Sequence, residues 1–306
     1  MKYIFYNFAI LLTAITMVSC RDCEYEVEYS AAALWKNGVK QELPYGDSPD
    51  GLDIRTYSVF VSGNDVYVAG CERYDGVGVL WKNGIAQVFS TNDRIQESSM
   101  FVSGNDVYFI GSNTVWKNNE IIQRLEGTAT SVYVVNNEVY VSGYIYKKNN
   151  RIATVWINGV AHYLTDETTY SYANSIFVSD GDIYVAGIED RRSTLWRNGV
   201  PQTLPGGSKA NAVFVSNNDV YVGGDSKVWK NGNVEYSING SATSIFVLGN
   251  DVYVTTEYRV LKNGAVIMES DLRPNATESS YFTSVFVSGN DVYVAGFYYK
   301  FIRVCS

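Results

Sequence analysis

The chain has 306 residues and a single histidine, His162. One histidine excludes a histidine-rich metal centre, and a Ser-His-Asp triad would have to be built on it. The sequence contains no G-x-S-x-G elbow. Basic residues are outnumbered, with 24 Lys and Arg against 32 Asp and Glu, a net charge of −8. No basic stripe is present to neutralise phosphates, which argues against nucleic acid as a partner. Proline is scarce, at 5 residues, and helix-favouring signals are few. Beyond the first twenty residues no apolar run is long enough to span a bilayer. What is abundant is tyrosine, at 25, together with Val, Thr, Phe and Gly, a composition of strands and turns.

The N-terminus reads as a targeting segment. Lys2 supplies a short positive region, residues 3–18 are mostly apolar, and "MVSC" follows at 17–20. This end resembles the lipobox of bacterial lipoproteins. The resemblance implies acylation of Cys20 and an exported, outer-membrane lipoprotein, periplasmic or surface-facing, touching the membrane through its N-terminal lipid only. Residues 1–19 are then a signal peptide, 20–30 a lipidated tether and 31–306 one folded domain. An exported chain permits disulfides. Cys23 and Cys305 lie near the two ends, so a bridge between them would clasp the termini; three unbridged thiols are the alternative. "CRDC" at 20–23 has C-x-x-C spacing, but its first cysteine is the expected lipid site. No metal and no cofactor are expected.

The rest of the chain repeats itself. "SVFVSGNDVYVAG" at 58–70 returns six more times with small edits, ending at 284–296. Aligned on its acidic residue, the copies fall at Asp65, Asp106, Glu138, Asp182, Asp219, Asp251 and Asp291. A second motif alternates with it: "LWKNG" at 34–38 and 80–84, then "VWKNN", "VWING", "LWRNG", "VWKNG" and "VLKNG". All six tryptophans occupy one slot of this motif, and Leu261 fills the seventh.

Each motif reads as a β-hairpin. Gly63-Asn64 is a two-residue turn signal, pairing Val61 with Val66, Phe60 with Tyr67 and Val59 with Val68. Both faces of that hairpin are apolar, so it must be sandwiched between neighbours. Asn-Gly in the second motif accepts the positive φ angles of a type I′ turn. The first hairpin supplies strands a and b, the second c and d. Short b–c linkers and longer d–a linkers give an a-b-c-d meander repeated at about forty residues, the pattern of a β-propeller. The fold class is therefore all-β: a seven-bladed β-propeller of four-stranded antiparallel blades. The chain starts with c-d and ends with a-b, and these halves join in one sheet and close the ring, leaving no exposed edge at the seam. The tail "YKFIRVCS" echoes "EYRVLKNG" and either competes for the c position or lies outside it. With "VSGNDVYVAG" and "LWKNG" as repeat marks, the chain resembles the tandem-repeat β-propeller lipoproteins of Bacteroidetes type. That resemblance implies an exported, lipid-anchored propeller and assigns no chemistry.

Positions identical across the repeats are structural, so function is expected where they differ. The b–c and d–a loops vary and share one face, with 144–153 ("YIYKKNNRIA") and 188–193 ("IEDRRS") among the b–c loops. That face carries the candidate ligand-binding residues Tyr74, Tyr144, Tyr146, Tyr170, Tyr172, Glu189, Asp190, Arg191 and Arg192. Tyrosines among carboxylates and guanidiniums suit a glycan or a protein ligand. The leading expectation is a non-catalytic, monomeric binding scaffold, with no catalytic residue assigned. One alternative is a polysaccharide-acting glycosidase or lyase, with Asp75, Asp166, Glu167, Glu189 and Asp190 as the available acids. The other is a structural component of a cell-envelope complex. His162, in "VAHYL", is read as a residue of a blade's outer strand.

Overall fold

The structure, a computed structural model, describes residues 23–44, 54–72, 76–89, 99–272 and 276–305. Every regular element among the described residues is a strand, and all pairings are antiparallel. The signal-peptide region and Cys20 lie outside the described residues.

The strands form a β-propeller of four-stranded antiparallel blades. Four sheets follow the expected a-b-c-d order. They are Ile54–Ser62, Asp65–Glu72, Gly78–Lys82 and Ile85–Phe89; Met100–Ser103, Asp106–Ile110, Thr114–Lys117 and Glu120–Arg124; Thr128–Val135, Glu138–Lys147, Asn150–Ile157 and Val160–Tyr163; and Ser171–Ser179, Asp182–Glu189, Arg192–Arg197 and Val200–Thr203. A fifth joins the two ends of the chain: Val39–Glu42, Cys23–Lys36, Asp291–Cys305 and Glu278–Ser288 are neighbours in that order. The C-terminal tail neither takes the c position nor lies apart. It lengthens the b strand, and its partner begins at Cys23, so residues 23–30 are strand rather than tether.

The remaining strands correct the expectation of seven separate sheets, because the hydrogen bonding gives six. Asp219–Lys230 and Asn233–Leu248 each run through a corner without a break, merging two repeats into one six-stranded sheet with Ala210–Ser216, Asp251–Thr256, Arg259–Lys262 and Ala265–Glu269. The linkers there are short, though no shorter than those flanking Thr114–Lys117, where the strands stay separate. Ser226 turns at φ 58° and Gly240 at φ 109°, and Asp225 pairs with Ser241 across the gap.

The register explains the repeat. Val59 faces Val68, Phe60 faces Tyr67 and Val61 faces Val66, as read from the sequence. Val59, Val61 and Val68 are buried between sheets and Val66 is half-buried, and the aromatic residues of the a strands turn to the axis. There Phe60, Phe101, Tyr133, Phe177, Phe214, Phe246 and Phe286 form a closed cycle, with successive ring centroids 4.5–5.2 Å apart. The tryptophans of the c strands are 0–6 % exposed, and Leu261 in the same slot is 3 % exposed. Burying each indole contributes about 4–6 kcal/mol of gross transfer free energy.

The hairpin ends carry a second repeated device. Asp65 accepts from Asn83 Nδ2 at 2.8 Å and pairs with Lys82 at 2.7 Å, while Asn83 Oδ1 accepts the Val66 amide at 2.9 Å. The same Lys82 lies over the Tyr67 ring. Asp106, Asp219, Asp251 and Asp291 repeat this network with their own Asn and Lys partners, and Asp182 does so with Asn198 and Arg197. The acidic residue of "NDVYV" thus ties the a-b turn to the c strand of its own blade.

Candidate binding face

At the opposite end of the blades, six of the a strands carry a β-bulge, all but Met100–Ser103. Thr130, Asn174, Asn211 and Thr243 are four of the extra residues. Each donates to a backbone carbonyl of the next blade: Ala173, Ala210, Ala242 and Phe282 in turn. These polar side chains line a cavity of about 520 Å³ at the mouth of the axial channel. Most of their donors hold blade to blade, so the polar mouth is first a structural clip.

The most developed site lies off the axis, at the seam between the blades of residues 128–163 and 171–203. Residues 144–153 and 188–193, expected as loops, are instead hairpin ends. Lys147 pairs with Asn150 across Lys148-Asn149, and Glu189 pairs with Arg192 across Asp190-Arg191. Both two-residue turns have positive φ throughout: 49° and 68° in the first, 49° and 60° in the second. Type I′ geometry explains this, because its twist matches that of the strands. The side chains are therefore held on rigid ribbons.

Strand alternation then builds a cluster. Tyr144 and Tyr146, two residues apart, share one side of the first ribbon, and Arg151 is the cross-strand partner of Tyr146. Tyr170 and Tyr172 come from the entry of the next blade. The four rings surround the Arg151 guanidinium, whose carbon lies 4.6 Å from the Tyr144 centroid, 5.6 Å from Tyr146, 6.0 Å from Tyr170 and 5.7 Å from Tyr172. Arg151 Nε donates to Tyr146 Oη at 3.0 Å. The rings meet edge to face, Tyr144 with Tyr146 and Tyr172, and Tyr170 with Tyr172. Tyr146 and Tyr170 remain 60 % and 43 % exposed. The hydrogen bond from Arg151 holds the Tyr146 phenol below its ordinary pKa, and burial pushes that of Tyr172 up.

Beside Tyr170 opens a cavity of about 580 Å³, lined by Asn150, Thr168, Thr169, Glu189, Asp190, Arg191 and Arg192. Burial raises the Glu189 carboxyl above its ordinary value, against the pull of Arg192. Asp166 Oδ1 accepts from the amides and hydroxyls of Thr168 and Thr169, which lowers its pKa. Glu167 pairs with Lys148 at 2.6 Å, and Asn150 Nδ2 donates to the Glu167 carbonyl at 3.0 Å. Asp190 lies 3.9 Å from Arg192.

Of the residues expected here, Tyr144, Tyr146, Tyr170, Tyr172, Glu189, Asp190, Arg191 and Arg192 come together at this one seam. Tyr74 and Asp75 lie outside the described residues. His162 is exposed on an outer strand, opposite Val155. Arg151, Asn150, Thr168 and Thr169 were not singled out from the sequence. The signal for Arg151 was present: treating Lys148-Asn149 as a two-residue turn places it across from Tyr146. A second aromatic cluster, Tyr258, Tyr281 and Phe297, lines a cavity of about 600 Å³ that shares Ser241, Thr243 and Thr283 with the axial mouth.

No protein-family description matches the chain. No curated protein matches it. Solved structures do. The extracellular domain of a hybrid two-component system from B. thetaiotaomicron superposes with a TM-score of 0.50 at 10 % identity, covering 87 % of this chain and 43 % of that one. The extracellular domain of a one-component system from the same organism gives 0.52 at 12 % identity, covering 92 % and 46 %. A puromycin-hydrolysing peptidase from Mycobacterium tuberculosis gives 0.52 at 10 % identity, covering 89 % and 60 %. The chain thus spans about half the length of these proteins, and likeness at such low identity speaks for the fold alone.

Proposed function

We propose that the chain is an exported, lipid-anchored β-propeller that works as a non-catalytic binding scaffold, with a glycan as the ligand of its tyrosine-rich face. The observation that carries this reading is the convergence of Tyr144, Tyr146, Tyr170 and Tyr172 beside a polar cavity edged by Glu189 to Arg192. Flat rings offer apolar contact to sugar faces, and the neighbouring amide, hydroxyls and charges offer hydrogen bonds to sugar hydroxyls. The site is concave and polar. A protein partner more often seats an apolar anchor at the centre of its interface.

Seven blades are part of the same reading. Seven a strands contribute one aromatic ring each to the axial cycle, and the six-stranded sheet counts as two blades sharing continuous strands. Export and lipidation at Cys20 rest on the N-terminal motif and on the repeat's resemblance to Bacteroidetes lipoproteins. The extracellular placement of two fold relatives is consistent with this. The engagement of Asp166 with two threonines and of Glu167 with Lys148 weighs against a catalytic carboxylate pair.

The test is binding of the mature chain to an immobilised panel of polysaccharides. A hit abolished by Tyr146→Ala combined with Tyr170→Ala supports the reading. A blank panel with folded protein overturns it in favour of a protein partner, to be sought by cross-linking in the native envelope. New reducing ends or unsaturated products from a bound polysaccharide would instead favour the glycosidase or lyase alternative.

A further inference from the structure

We infer that the seam site takes a carboxylated glycan, with the Arg151 guanidinium receiving a uronate carboxylate and the tyrosines receiving the sugar rings. This rests on the glycan reading above and adds the ligand's charge.

The argument starts from what Arg151 lacks. A guanidinium has five N–H donors. Only Nε is engaged, by Tyr146 at 3.0 Å. No carboxylate among the described residues lies within ion-pairing distance of Arg151. The terminal nitrogens, the fork that meets a carboxylate in two parallel hydrogen bonds, are left over. Other cations of this chain are matched differently. Lys148 has Glu167, Arg197 has Asp182 and Arg259 has Glu269.

The cage also fixes where that charge points. Four rings within 6.0 Å of the guanidinium carbon, and a hydrogen bond to its own cross-strand neighbour, leave the side chain few alternatives. Ordering such a long side chain in advance removes part of the entropy a ligand would otherwise have to overcome. The nearby acids do not answer the cation. Asp166 is turned onto Thr168 and Thr169, Glu167 onto Lys148, and Asp190 lies near Arg192. Burial raises the Glu189 carboxyl above its ordinary value. The donors of Asn150, Thr168 and Thr169 in the adjoining cavity are engaged by Glu167, Thr168 and Asp166, so these residues offer oxygens that accept from the hydroxyls of the same sugar.

The experiment compares polygalacturonate, alginate and hyaluronan with their carboxyl-reduced counterparts, alongside neutral polysaccharides, using the mature chain. The expected result is binding to at least one acidic polymer, weakened tenfold or more by carboxyl reduction. Arg151→Gln should weaken the acidic interaction by a similar factor. Arg151→Lys should restore it only in part, since an ammonium keeps the charge and loses the fork. Equal binding of native and carboxyl-reduced polymer, or unchanged affinity in Arg151→Gln, overturns the carboxylate assignment while the glycan reading stands. Binding only to neutral polymers does the same. No binding to any polymer, acidic or neutral, overturns both. Should Arg151→Gln fail to fold, the comparison of native and reduced polymer on the unaltered chain still decides.

Discussion

Gly187 lies against the indole of Trp196: a Cβ added to Gly187 would stand 2.9 Å from the ring and closer still to the Tyr172 carbonyl. Gly143 meets Trp156, Gly224 meets Trp229 and Gly296 meets Trp35 in the same way. The glycine that ends "VYVAG" is thus needed for space, where the c-strand tryptophan and the bulged a strand converge on the b strand. Gly187→Ala should destabilise the fold by about 1–3 kcal/mol, the usual cost of overpacking. Urea unfolding measures it; an unchanged midpoint would show that the contact relaxes freely.

Acid should weaken the hairpin ends before it reaches the core. Asp65, Asp106, Asp182, Asp219, Asp251 and Asp291 are each held below the ordinary carboxylate range, first by the hydrogen bond from their Lys or Arg partner and then by Asn. A carboxyl whose folded pKa lies below its unfolded one adds stability above the unfolded value, about 3.9. That stability is lost as pH falls through the folded values. The unfolding midpoint should therefore hold from pH 7 to 5 and drop below about 4. In Asp219→Asn the drop should be shallower. A midpoint independent of pH down to 2 would contradict the linkage.

The backbone register places Cys23 directly opposite Cys305 on adjacent antiparallel strands. Cα atoms paired in this way are about 4.5–5.5 Å apart, within the range a disulfide spans. In an oxidising compartment the chain is expected to carry this bridge. It would close nearly the whole chain into one loop and add up to about 5 kcal/mol by the chain-entropy model. Peptide mapping without reductant should recover the two cysteines linked, and reduction should lower the melting temperature. Full alkylation of both without reductant refutes the bridge.

The turn at Asp190-Arg191 places two non-glycine residues at φ 49° and 60° beside the candidate cavity. Arginine in that region is strained. Arg191→Gly should stabilise the fold by about 0.5–1 kcal/mol, because relief of strain outweighs glycine's greater freedom in the unfolded chain. The same change should weaken ligand binding if Arg191 contacts the ligand. A loss of stability would mean that the arginine makes compensating contacts.

Much of the fold was legible in the chain. Asn-Gly at 83–84 specified a type I′ turn, and the alternation of Val59, Phe60 and Val61 specified a valine face and an aromatic face, both covered by neighbours; that the aromatic rings meet around the axis came only from the structure. The site was legible only as a list of unusual residues on one face. Tyr144 and Tyr146 announced themselves by type, whereas Arg151 became important through its register, which a linear reading of "YIYKKNNRIA" as a loop concealed.

The sequence by itself determined the blade, because hairpin turns and alternating apolar residues are local instructions repeated seven times. It also determined that the two ends must complete each other, since each end lacks the hairpin the other supplies. Only the tertiary structure decided the rest. Whether two strands run through a corner and merge two repeats depends on how neighbouring blades pack around Ser226 and Gly240. Whether Arg151 stands alone or within a cage depends on Tyr170 and Tyr172 arriving from the next blade. Both are relations across a seam between repeats, and no spacing within a repeat encodes them.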